Sequence, residues 1–213
     1  MKGHDLLEAS YSSLLDGLSD VHGTEAWAPT RCAGWSVHDL VFHLLTDAQR
    51  ALVAIHSPAA GPVDTDEASY WRAWPPDGPN ADVGRRTTRI LASALPFGYL
   101  SELYAETAHA VVVASNARSG REVVTTQGKV LTVDTLRSTL AVEATVHQLD
   151  LGLGTATAAG LAEVRRVLDA LLGEPARMAD DVRYALVGTG RERLTAEESA
   201  VLGPAAKRLP LFG

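Results

Sequence analysis

Residues Asp134–Leu151 read DTLRSTLAVEATVHQLDL. Stepped at about 100° per residue, Leu136, Leu140, His147, Asp150 and Leu151 fall within about 80° of Glu143 on one side of a helix. Arg137, Ser138, Ala141, Thr145 and Gln148 fall on the other. The stretch therefore predicts a helix that carries a carboxylate and an imidazole, four residues apart, in the middle of its apolar face. Unpaired polar groups in a core cost several kcal/mol, so both need a partner. Two readings are open for the pair: a buried, hydrogen-bonded ion pair, or two ligands of a metal ion whose third ligand comes from elsewhere.

Working backward, residues 121–133 read REVVTTQGKVLTV, in which Val123-Val124 and Val130-Leu131 flank Gln127-Gly128 as in a short hairpin. A helix is expected from Tyr99 to about Ala117, and a weaker one from Val83 to Leu95, broken by Pro96. Residues 57–82 hold five of the ten prolines and form a long loop with Tyr70, Trp71 and Trp74. Loops of that length inside compact domains are commonly functional. The helix before it runs from Ser36 to His56. Ser36 with Asp39 resembles a capping box with the shorter acid, and Leu40, Val41, Leu44, Leu45, Ala48, Leu52 and Ile55 form its stripe. A first amphipathic helix covers residues 4–21, ended by Gly23.

Forward of Gly152, Leu161 to Leu172 mark a helix closed by Gly173 and Pro175, residues 176–187 are expected to be helical, and Thr195 with Glu198 caps a last short helix. The expected architecture is all-α: a four-helix bundle over 1–152, with one small β-hairpin, and a short helical C-terminal appendage over 153–213.

Composition sets the outer limits. A net charge of -7 with no basic stripe argues against nucleic acid as the partner. No run of about 18 apolar residues predicts a membrane span, and the start, MKGHDLLEASYSS, lacks an apolar signal region. One cysteine, Cys32, excludes an internal disulfide, so a cytoplasmic protein is expected. Cys32 reads as a small buried side chain, and Trp35 as an anchor at the helix entry. Of seven histidines, His43 lies about 60° beyond the apolar stripe of its helix, where it faces either solvent or a cleft. His38 and His109 are expected to be exposed, His56 to end a helix, and His4 and His22 to flank the first one. The sequence has no GxSxG, Walker loop, GxGxxG or HExxH.

Pro29-Thr30-Arg31-Cys32-Ala33-Gly34-Trp35-Ser36-Val37-His38-Asp39-Leu40, followed by His43-Leu44, resembles the entry to the second helix in the DinB-like superfamily. It is closest to the mycothiol-dependent maleylpyruvate isomerase branch, whose second signature, Glu, His four later and Asp three after that, is matched by Glu143, His147 and Asp150. Ala33 stands where the family often has proline, and only about 60 residues follow the bundle where the isomerases carry a larger C-terminal domain. The resemblance implies a divalent metal, usually zinc, on His43, Glu143 and His147, and a low-molecular-weight thiol such as mycothiol as co-substrate. The expected activity is a metal-dependent thiol S-transferase acting on a small electrophile, with Asp150 orienting a ligand histidine and Asp47 a weaker candidate for the same role. A metal-dependent hydrolase and a non-catalytic metal or small-molecule binding protein are the alternatives. A homodimer is compatible with this reading.

Overall fold

The computed structural model describes residues 3–74 and 81–213. Helices α1 (Gly3–Ser19), α2 (Val37–Ile55), α3 (Ala81–Ala92) and α4 (Phe97–Asn116) precede a hairpin of β1 (Val123–Thr126) and β2 (Lys129–Thr132). Helix α5 (Val133–Leu151) follows, then α6 (Ala158–Leu172), α7 (Asp181–Gly188) and α8 (Ala196–Leu202). The bundle consists of α1, α2, α4 and α5, with α3 lying on α2. Leu7, Tyr11, Leu14, Leu40, Leu44, Leu100, Tyr104 and Leu140 fill its interior. No helix among the described residues is long and apolar enough to cross a membrane.

Local chemistry explains the boundaries that position the site. Ser36 accepts a hydrogen bond from the backbone of Asp39, whose carboxylate accepts the Ser36 N–H at 2.9 Å, so α2 starts at a true capping box. Thr132 caps α5 by accepting from the Thr135 N–H, and Gly152 ends it with φ +66°, a conformation glycine adopts without a Cβ penalty. The hairpin turns on Gln127 and Gly128, both at positive φ. The long loop after α2 runs along that hairpin: Ala59 N–H donates to Val123 O, and Asp64 N–H to Val130 O, each at 3.0 Å.

Several expectations change. Helix α1 ends at Ser19, and Val21 packs just beyond it. Helix α7 begins only at Asp181 because Asp180 is its cap. Helix α3 spans Ala81–Ala92 where Val83–Leu95 is expected, and Val83, Ile90 and Leu91 are exposed because α3 lies outside the bundle on α2. The largest change concerns α5. Its second side is also buried: Val142 and Val146 pack against Val164, Val167 and Leu168 of α6, with Tyr184 of α7. Most polar atoms there are bonded inside the structure, although the buried Nε of Arg137 has no partner among the described residues. Arg137 bonds Asp134, Ser115 O and Arg118 O, and Gln148 donates to Ser13. Gly160 lets α6 approach that closely, since a Cβ there would overlap the Thr145 hydroxyl.

Candidate metal centre

Helix α2 brings His43, and α5 brings Glu143 and His147, to one point in the bundle. Glu143 Oε1 lies 3.1 Å from His43 Nε2 and 3.3 Å from His147 Nε2. One donor atom from each residue lies within 4.8 Å of the other two. Ligand atoms placed tetrahedrally at zinc distances stand about 3.4 Å apart. Two imidazole nitrogens and a carboxylate oxygen with these separations are a donor set that fits a divalent ion. The side chains of His43 and Glu143 are 24% and 22% exposed, whereas that of His147 is only 7% exposed, so solvent reaches the group from the α2 side.

The other face of His147 is closed. Its Nδ1 lies 2.9 Å from Asp150 Oδ2. The Cys32 thiol also donates to Asp150 Oδ2, at 3.1 Å, and stands 3.9 Å from His147 Nδ1. A tight loop delivers Cys32: Thr30 N–H donates to Trp35 O, and Arg31 N–H donates to Asp150 O, each at 3.0 Å. Trp35, at the end of that loop, covers the His43 ring at 5.2 Å. Cys32, expected to be buried, is half-buried and lies beside His147.

Electrostatics follow from this packing. Burial disfavours charge on Glu143, but hydrogen bonds from His147 and His43 outweigh it and hold the carboxyl well below its usual range. Burial likewise opposes a charged His147, while the bonds to Asp150, Cys32 and Glu143 push its pKa well above the ordinary value. Asp150 is held low by His147 and by Arg191 despite its burial. His147 thus lies between two carboxylates, Glu143 at 3.3 Å and Asp150 at 2.9 Å, and both favour its charged form.

Asp47 lies one turn beyond His43. Its hydrogen-bond partner is Arg50, at 3.2 Å, rather than His43 or His147. Burial, then the charge of Glu143, raise its pKa to about 6. Its folded-state pKa is raised, so its contribution to stability is complete at acid pH and is lost as pH rises through about 6. Asp47→Asn is neutral at all pH. Melted with chelator, it should match wild type near pH 3, below the unfolded carboxyl value, and exceed it at pH 8 by up to about 3 kcal/mol, with about half of that gain already present at pH 5. An equal gain at all three pH values would sink the assignment.

Tyr70 and Trp71 of the long loop, Gln127 of the hairpin, and Asp47, Arg50 and Glu143 border one small cavity. Tyr70 donates its hydroxyl to Gln127 Oε1 at 2.8 Å. Trp71 is buried, stacked on Phe212, while Trp74 is exposed.

The remaining histidines lie elsewhere. His38 is buried, contrary to its expected exposure, because the turn Gly23–Trp27 folds over it: its Nε2 lies 2.9 Å from Leu95 O and its ring stacks on Trp27. His56 ends α2, His109 is exposed, His22 precedes the turn, and the side chain of His4 lies outside the described residues.

One residue had no signal in the sequence. Arg191, from the loop after α7, places Nη2 3.1 Å from Asp150 Oδ2 and Nε 3.1 Å from Oδ1. Nothing in the spacing of residues 153–213 marks it out from other arginines there.

Comparison with known proteins agrees with this architecture. A family model described as the mycothiol maleylpyruvate isomerase N-terminal domain matches residues 7–152. Two solved structures are similar, a mycothiol-dependent maleylpyruvate isomerase and a histidine-to-alanine mutant of it. Each gives a TM-score of 0.59 at 19% identity, over 78% of this chain and 68% of that chain. At that identity the likeness concerns the fold. No curated protein matches the chain. With the family model matched over more than half of its length, the chain belongs to the mycothiol maleylpyruvate isomerase N-terminal domain family.

Proposed function

We propose that this protein is a metal-dependent enzyme that uses mycothiol, with His43, Glu143 and His147 holding a zinc ion and Asp150 orienting His147. The observation that carries the proposal is the convergence of three donor atoms within 4.8 Å, open to solvent on one side. Family membership supports the choice of thiol. When bound, the ion would supply Lewis acidity that ionises a thiol, and two neutral imidazoles with one carboxylate leave it a net positive charge that a thiolate neutralises.

The chain's own residues do the rest. His43 and His147 offer Nε2, and Glu143 offers its carboxylate. Asp150 accepts the Nδ1–H of His147 and so fixes the tautomer that leaves Nε2 free to ligate. Trp35 and Cys32 limit water on the near side of the histidines. The cavity bounded by Tyr70, Trp71, Gln127 and Arg50 is only water-sized, so a small electrophile would approach Glu143 from its mouth. The thiol gives its proton to solvent and the thiolate sulfur forms a bond to the electrophilic carbon, while the electron pair of that carbon's double bond moves onto a conjugated carbonyl oxygen or a leaving group departs with the pair of its own bond. A hydrolase is the second reading. Asp47, with its pKa near 6 in the same cavity, is the kind of general base it would need.

Cobalt substitution separates the two. Added mycothiol, or a simpler thiol, should produce a sulfur-to-cobalt charge-transfer band and a conjugate with a model electrophile. A cobalt-loaded protein whose spectrum no thiol changes, and which forms no conjugate, would leave the hydrolase or a binding role.

A further inference from the structure

Asp150 is the meeting point of three segments. Helix α5 supplies the carboxylate and His147, the loop before α2 supplies Cys32, and the loop after α7 supplies Arg191. The Asp150 side chain has no solvent exposure. An anion placed there without a cation beside it is strongly unfavourable. Two groups face it, the His147 ring at 2.9 Å and the Arg191 guanidinium at 3.1 Å. An imidazole that ligates through Nε2 is neutral, with its single proton on Nδ1, and so brings Asp150 a hydrogen bond but no charge. Among the described residues, Arg191 is the cation in contact with Asp150 beside it. A guanidinium does not lose its proton, so that charge is permanent.

We propose that Arg191 is a positioning residue of the metal centre, which neutralises and orients Asp150 so that its carboxylate holds the His147 ring with Nε2 toward the metal. The inference rests on the ligand set proposed above. It makes the loop of residues 189–192 part of the site. The contact geometry supports this: Arg191 Nε bonds both carboxylate oxygens, at 3.1 and 3.3 Å, and Nη2 bonds Oδ2 at 3.1 Å. The carboxylate plane is thereby fixed, while Oδ2 still accepts from His147. Arg191 is itself held from both ends. Its Nη1 donates to Thr189 O at 2.9 Å and its backbone N–H to Leu186 O at 2.8 Å. The C-terminal tail braces the loop, with Leu211 N–H donating to Gly188 O at 2.7 Å and Pro210 packed on Gly190.

The test measures cobalt affinity by chelator competition in wild type, Arg191→Met, Arg191→Lys, Asp150→Asn and the double variant Arg191→Met with Asp150→Asn. Arg191→Met should bind cobalt about 10- to 100-fold more weakly, with Arg191→Lys recovering part of the loss. The double variant should bind no worse than Asp150→Asn alone, since the two residues act in series. In the cobalt protein, the exchangeable Nδ1–H of His147 gives a paramagnetically shifted proton resonance. It should broaden or vanish in Arg191→Met and persist in Arg191→Lys. A structural ion pair would behave differently: metal-free melting would fall while cobalt affinity and that resonance stayed at wild-type values, which would overturn the proposal. Additive losses in the double variant would also overturn it. If Arg191→Met does not fold, Arg191→Lys and Asp150→Asn carry the same comparison. Wild-type protein that takes up no cobalt would remove both the ligand assignment and this inference.

Discussion

Replacing His147 with alanine should weaken metal binding by more than about a hundredfold, beyond the loss usual for changes in residues that only support a ligand. The variant deletes the least exposed of the three donors and the only one bonded to both Glu143 and Asp150. Stability should report the same loss. A ligand that binds only the native state adds about 4 kcal/mol at a thousand times its dissociation constant. Wild type should therefore melt well above its chelator-treated form, and His147→Ala should melt at the same temperature with and without chelator. The pH dependence has opposite signs in the two forms. His147 has a raised folded-state pKa, so in the metal-free protein its ionic bonds stabilise fully below the unfolded value of about 6.5 and fade as pH rises through the folded value. Metal competes with that proton, so affinity rises over the same interval. Glu143 acts at the acid end: its lowered pKa gives stability that is present above its unfolded value and lost as pH falls. If wild type and variant melt identically with and without chelator, the metal is no part of this fold.

What the sequence reveals here is what local rules govern. The period of α5, the Ser36 and Thr195 capping boxes and the Gln127-Gly128 turn are each decided within a few residues, and each appears in the structure where the spacing puts it. Placement between elements is less legible. His38 has the position of an exposed first-turn residue, and the turn at Gly23–Trp27 with Leu95 and Phe97 buries it. Helix α3 is legible as a helix, but its place on the outside of α2, which leaves Val83, Ile90 and Leu91 exposed, is not. Arg191 meets Asp150 across 41 residues of chain, a contact with no periodicity to betray it. The second buried face of α5 did leave a trace. Val142, Val146 and Leu149 fall within about 60° of one another, opposite the Leu136–Leu140 side. That stripe has the spacing of a core face, and the C-terminal helices are what it packs against.

That second face leads to the other large expected effect. The family model ends at residue 152, and the sequence suggests a division at Gly152. We expect this to be a boundary in the chain and not in stability, so a fragment of residues 1–152 should fail to fold cooperatively. Removing α6 and α7 uncovers Val142 and Val146, both now buried, and deprives Trp71 of Phe212. Returning each such side chain to water costs about 1.5–3 kcal/mol. Asp150 simultaneously loses Arg191, and a buried charge stripped of its partner costs about 3–5 kcal/mol more. Together these approach the whole stability of a domain, about 5–15 kcal/mol. The fragment should show helical circular dichroism with a broad, non-cooperative melt, or aggregate through the exposed valines. Adding a separate peptide of residues 153–213 should restore some cooperativity if packing alone is missing. A monomeric 1–152 fragment that melts sharply within a few degrees of the full chain and binds metal equally well would show the bundle to be autonomous. It would also assign the Val142–Val167 contact and the Arg191 clamp to the extension's own attachment rather than to the centre.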